Sequence, residues 1–194
     1  LPILPLASST GVPTFGYTTP RAVADQRDLL VAWGDTYDIQ PATFPLMFRH
    51  ALSCILFKTA TEDVPACTVR SISVSGLKET GAYTEGSGWS GGSGSATYLI
   101  TPNQTLTTSD IDVRVGTAPQ TMIVLPQVLP EGAEVSVDYM PDGASGYETL
   151  TASIAGLELA MGYKTVIRLI LPPPAAVETG DLGIEVSGSV VFHH

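Results

Sequence analysis

Apolar and polar side chains alternate with period two through most of the second half of the chain. Ala133, Val135, Val137 and Tyr139 share one parity, and Glu134, Ser136 and Asp138 share the other. Leu150, Ala152 and Ile154 alternate with Thr149, Thr151 and Ser153, and Tyr163, Thr165, Ile167, Leu169 and Leu171 form a long row opposite Lys164 and Arg168. Near the end, Ile184, Val186, Val190 and Phe192 oppose Glu185, Ser187 and Ser189. This period belongs to strands with one face on a core and one in water. Turn-forming runs separate them: Pro130-Glu131-Gly132, Pro141-Asp142-Gly143, Gly156, Gly162 and Pro172-Pro173-Pro174. Strands of this length between such breakers predict an antiparallel sandwich.

Shorter strands are expected at 68–77, 96–101 and 111–115. The segment 122–125 is apolar on both faces and reads as a central strand covered on both sides. Residues 46–58 fit an amphipathic helix or a buried strand. The strand is preferred, because the next segment behaves like the second arm of a hairpin. Residues 85–95, Glu-Gly-Ser-Gly-Trp-Ser-Gly-Gly-Ser-Gly-Ser, have the composition of a flexible loop, with Trp89 as a possible pocket anchor or ligand contact.

Composition narrows the function classes. The chain has 194 residues, 44% of them hydrophobic, enough to bury a sizeable core. Nine Lys and Arg against 19 Asp and Glu give a formal charge of −10, a poor basis for binding phosphate backbones, so no nucleic-acid partner is expected. No apolar run approaches the roughly 20 residues of a membrane-spanning helix. The opening Leu1–Ala7 lacks a basic flank and does not read as a signal peptide, so an exported protein would have lost its targeting segment upstream. His193 and His194 are either native or the stub of a tag.

Candidate chemistry is sparse. Cys54 and Cys67 are spaced either for a disulfide between strands or for two buried thiols. His50 lies three residues before Ser53, the barest outline of a hydrolase pair, and a hydrogen-bonded structural histidine is the plainer reading. Asp35 with Asp38, and Asp110 with Asp112, lack the ligand number of a calcium loop and read as turn residues. Tyr83, Trp89 and Tyr98 are an aromatic set suited to sugar stacking or to packing. No cofactor, metal or catalytic residue is assigned.

The order of several short segments carries more. Gln26-Arg27-Asp28-Leu29-Leu30-Val31-Ala32, then Phe48-Arg49-His50-Ala51-Leu52, Leu125-Pro126-Gln127 and Met161-Gly162-Tyr163 resemble, in that order, segments of the Bacteroidetes fimbrillins, the subunits of type V pili. The resemblance implies an all-β, antiparallel Greek-key β-sandwich of transthyretin-like type. It implies a subunit of a surface fimbria at the cell outer membrane, touching the membrane only through a lipid anchor on its precursor. Partners would be other pilus subunits or host or bacterial surface ligands, joined by strand exchange. Members of that family are commonly longer, so residues 1–39 are expected to be strands or linker of an N-terminal domain and 40–194 the sandwich. If assembly is the function, the exchange groove is expected along Ile167, Leu169 and Leu171 with Ile184, Val186 and Val190. A non-polymerising glycan- or protein-binding module working through the Trp89 loop is the alternative.

Overall fold

The computed structural model describes residues 12–33, 46–172 and 183–191, and it is built almost wholly from strands. In chain order they are β1 Thr14–Thr18, β2 Leu30–Trp33, β3 Met47–His50, β4 Ser53–Thr59, β5 Cys67–Leu77 and β6 Thr80–Thr84. Then come β7 Gly88–Ser93, β8 Ala96–Ile100, β9 Gln104–Leu106, β10 Arg114–Val115, β11 Met122–Val124 and β12 Gln127–Val128. The last five are β13 Glu134–Pro141, β14 Glu148–Ser153, β15 Glu158–Leu159, β16 Tyr163–Ile170 and β17 Gly183–Val191.

Two five-stranded sheets face each other across the core. One runs β14-β13-β5-β8 with β9 also on β5; the other runs β10-β4-β16-β17 with β11 also on β4. The first contributes Val69, Ile72, Val74, Tyr98, Val135, Val137 and Tyr139, the second Ile55, Phe57, Met122, Val124, Ile167 and Leu169, all in one buried cluster. Side chains of this kind each stabilise the fold by about 1.5–3 kcal/mol when fully buried. The alternation read from the sequence therefore marks the two inner faces. The chain is all-β, and every described strand pairing is antiparallel except one: β16 runs parallel to β4 from Lys164↔Cys54 to Leu169↔Thr59.

A smaller sheet β1-β6-β7 and a ribbon β2-β3 carry the N-terminal segments onto this frame. Three expectations are corrected here. Residues 88–93 form β7 rather than a loop, paired with β6 and bulged at Gly91, whose φ is +65°. Of 111–115 only Arg114–Val115 is strand, because Asp112 turns the chain at φ +52°. β11 is an edge of its sheet rather than a central strand. It is apolar on both sides because residues 23–26 pack along its outer edge, with Val23 in the core and Gln26 bonded to Ile123.

Candidate functional site: a junction of caps and an open sheet edge

The segments singled out in the sequence meet at one junction. Gln26 is buried; its Oε1 accepts from the Ile123 backbone N–H at 2.6 Å, while its Nε2 donates to the Pro20 carbonyl at 3.0 Å. The side chain thus closes the free edge of β11 and fixes the strand that enters the ribbon. Two residues on, an Asp28 carboxylate oxygen lies 2.6 Å from Nδ1 of His50, whose side chain is only 11% exposed. Leu29 accepts from the Ala51 N–H at 2.8 Å, the Ala51 carbonyl accepts from Trp89 Nε1 at 2.5 Å, and Leu52 accepts from Gly162 at 2.9 Å. Gly162 has φ +76°, and a Cβ there would sit 3.3 Å from the His50 carbonyl, so this crossing needs glycine. Gln127 clamps Lys78 from both sides: Oε1 accepts from its N–H at 2.9 Å and Nε2 donates to its carbonyl at 3.0 Å.

Apart from the side-chain pair of Asp28 and His50, each of these contacts satisfies a backbone group at a strand end or edge, where an unpaired buried group costs free energy. They are caps, and they explain why polar residues recur at fixed places in otherwise apolar runs. Arg21 adds an exposed clamp, with Nε and Nη2 on the two Glu79 oxygens at 2.8 and 2.7 Å; that contact holds the Glu79 carboxyl below its usual range.

The residues that outlined other chemistries are engaged elsewhere. Ser53 Oγ donates to the Tyr163 carbonyl at 3.2 Å, so the described contacts do not join it to His50 as a nucleophile pair. Asp110 caps Thr107, accepting from its N–H at 2.6 Å and its hydroxyl at 2.8 Å. Asp112 bridges Lys58 and Arg168 at 2.9 and 2.8 Å. Among the described residues no cluster of His, Cys, Asp and Glu is arranged to hold a metal; Asp35, Asp38 and His194 lie outside them. Cys54 and Cys67 are free thiols on opposing sheets. Burial pushes the Cys54 thiol up to about 12 and Cys67 to about 11, which suppresses the nucleophilic thiolate.

Trp89 packs edge-on against Phe15, Tyr17 and Tyr83. With its N–H already given to Ala51, it anchors β7 to the junction and forms one wall of a groove of about 270 Å³ beside Leu125, Pro126 and Gln127. Tyr98 is apart from this group, buried in the main core.

The apolar rows expected to line an exchange groove lie on the last two strands. Ile167, Leu169 and Leu171 are buried core residues. β17 is the outermost strand of its sheet and pairs with β16. The side chains of Ile184, Val186 and Val190 lie outside the described residues, but the register places Ile184 against Leu169, Val186 against Ile167 and, after a shift, Val190 against Lys164.

A family model described as fimbrillin-like matches residues 4–190. The chain belongs to the fimbrillin-like family. No curated protein sequence matches this fimbrillin-like chain. Among solved structures it is similar to a protein of Bacteroides ovatus ATCC 8483 with a provisional cell-adhesion designation, at 14% identity and a TM-score of 0.47. That alignment covers 95% of this chain and 70% of the other. A second, from Bacteroides fragilis NCTC 9343 and designated in the same way, aligns at 15% identity and a TM-score of 0.42 over 76% of this chain and 48% of its own.

Proposed function

We propose that this chain is a structural or adhesive subunit of a bacterial surface fimbria, held to the outer membrane through a lipoprotein precursor and joined to its neighbours by strand exchange. Membership of the fimbrillin-like family supports the fimbrial role. The observation that carries the exchange mechanism is the position of β17. It lies at the edge of its sheet, and its described strand partner is β16 alone. A strand held in this way makes the same backbone bonds whether it comes from its own chain or from another copy, so exchange costs little beyond chain ordering. Its departure would open the apolar slot of Ile167, Leu169 and Leu171, which only another strand with alternating apolar residues would refill. The partners are accordingly other subunits, with surface ligands met by the assembled fibre.

The register supplies a test. Arg168 pairs with Glu185 across β16 and β17. Chains carrying Arg168→Cys alone are mixed with chains carrying Glu185→Cys alone, under partial denaturation and then refolding and oxidation. Exchange gives a reducible heterodimer. A cross-link that forms in the double variant within one chain, but never between singly substituted chains, defeats the proposal.

A further inference from the structure

Natural sheets protect their edges with bulges, charges, proline or a covering segment. Most edges here carry such a device. β7 is bulged, β8 pairs across a register shift and packs against the turn at Val23–Asp25, and Gln26 caps β11. Among the described residues β14 carries none of these. It pairs with β13 over six residues without a register shift, from Glu134↔Ser153 to Tyr139↔Glu148, and its one charge, Glu148, stands at the start.

The alternation of its hydrogen bonds is fixed by Ile154, which donates to the Ala133 carbonyl at 3.0 Å. Leu150 and Ala152 therefore turn their backbone groups toward β13, and Thr149, Thr151 and Ser153 turn theirs away from the sheet. Those three residues are exposed, and among the described residues no backbone group bonds to their outward N–H and C=O.

We propose that β14 is a self-association edge that pairs antiparallel with β14 of a second copy of this chain about a two-fold axis at Thr151. The strand is self-complementary in this register alone: Thr151 meets Thr151 of the second copy and Thr149 meets Ser153, so all three outward residues are engaged at once. The three pairs form about six backbone bonds. Thr and Ser hydroxyls meet on the outer face, a favourable cross-strand pairing. Glu148 falls opposite Ile154 instead of another carboxylate, which matters for two molecules that each carry a formal charge of −10. On the inner side the second strand covers Ala152, which is only partly buried at the core margin. A six-residue edge, about 20 Å long, buries much less than the roughly 800 Å² per partner of a stable complex. The pairing is therefore weak and concentration-dependent, suited to repeated contacts along an array. It uses a different sheet from β17 and stands independently of strand exchange.

The two-fold register is read directly by cysteine trapping on the full chain. Thr151→Cys places two thiols opposite each other about 5.5 Å apart at Cα, within disulfide range. It should form a reducible dimer on mild oxidation, whereas Thr149→Cys should do so only when mixed with Ser153→Cys. The buried Cys54 and Cys67 do not compete. Sedimentation across a concentration series should show dimer in the unsubstituted chain, weakened roughly tenfold or more in Thr151→Pro, which deletes an outward N–H and leaves the bonds to β13 intact. Thr151→Lys serves as a second variant should the proline disturb folding. The proposal is overturned by an unsubstituted chain that stays monomeric at about 1 mM. It also fails if Thr149→Cys alone cross-links as readily as Thr151→Cys, or if both Thr151→Pro and Thr151→Lys dimerise undiminished.

Discussion

Replacing Gln26 with alanine removes both of its hydrogen bonds and strands their partners, the Ile123 N–H and the Pro20 carbonyl. An orphaned backbone group costs about 1–3 kcal/mol, less where water reaches it. Ile123 and Pro20 are half-buried, so the lower part of that range applies to each and the pair totals about 2–3 kcal/mol. For a chain of this size each kcal/mol moves Tm by about 2–4 °C, which gives an expected fall of about 5–10 °C. Calorimetry measures the shift, and amide exchange at Ile123 shows whether the lost protection is local to β11. Gln26→Glu adds a pH signature. The carboxylate still accepts from Ile123 but has no proton for Pro20, and burial raises its pKa above the ordinary value of about 4.3. A group whose folded pKa is raised contributes most below its unfolded pKa and loses that contribution as pH climbs through the folded value. The gap in Tm between Gln26→Glu and the parent should therefore be small near pH 4 and wide at pH 7. A Gln26→Ala chain with Tm within about 2 °C of the parent and unchanged exchange at Ile123 would refute the capping role.

The packing sets three further outcomes. Gly76 and Gly143 both have positive φ, +81° and +79°, but a Cβ at Gly76 meets the Ala133 Cα at 3.0 Å while Gly143 has open space. Gly76→Ala should accordingly lower the unfolding free energy measured in urea by well over the roughly 1 kcal/mol expected of Gly143→Ala, and equal losses would contradict the close approach. Cys54, Cys67 and Tyr98 all have pKa values raised by burial, to about 12, 11 and 12. Stability should hold below about pH 9 and decline toward pH 12, and Ellman's reagent should label neither thiol at pH 8 until the chain unfolds; rapid native labelling would contradict this. Tyr139 is fully buried, and among the described residues its hydroxyl has no partner. Tyr139→Phe should leave stability unchanged or raise it by calorimetry, and a loss above about 1 kcal/mol would reveal a bonded hydroxyl.

The long strands β13, β14 and β16 are legible because one-sided burial writes a period of two into the sequence, and Val135, Val137, Ile167 and Leu169 follow it. β7 is hidden, since Gly88, Gly91 and Gly92 give a strand the composition of a linker; Trp89, a large apolar residue in that run, is the one signal of an anchored segment. Asp112 reads as strand because alternation records burial and is blind to a positive φ. The doubly apolar face of Met122–Val124 mimics a central strand because Gln26 and Val23, remote in sequence, supply the missing cover. Gln26, Asp28 and Gln127 stand out by family resemblance alone, whereas His50 and Gly162 also read locally as a structural histidine and a turn residue. Their roles at the junction are invisible locally, since each depends on a partner brought in by the tertiary fold. The direction of β16 against β4 is equally illegible, because an apolar row does not specify which neighbour it meets or which way that neighbour runs.

That parallel pair has a kinetic corollary. Ser53 and Tyr163, bonded across β4 and β16, are 110 residues apart along the chain. Every strand of the opposing sheet is spelled out between them. One edge of β4 can pair with β10 and β11, but the other stays open, with Cys54-Ile55-Leu56-Phe57 free of charge and proline, until β16 has been made. Loop closure on that scale places such topologies among the slow folders, in the range of milliseconds to seconds, and leaves an aggregation-prone stretch uncovered meanwhile. A chain wired in this way must lay down one whole sheet before the other can close.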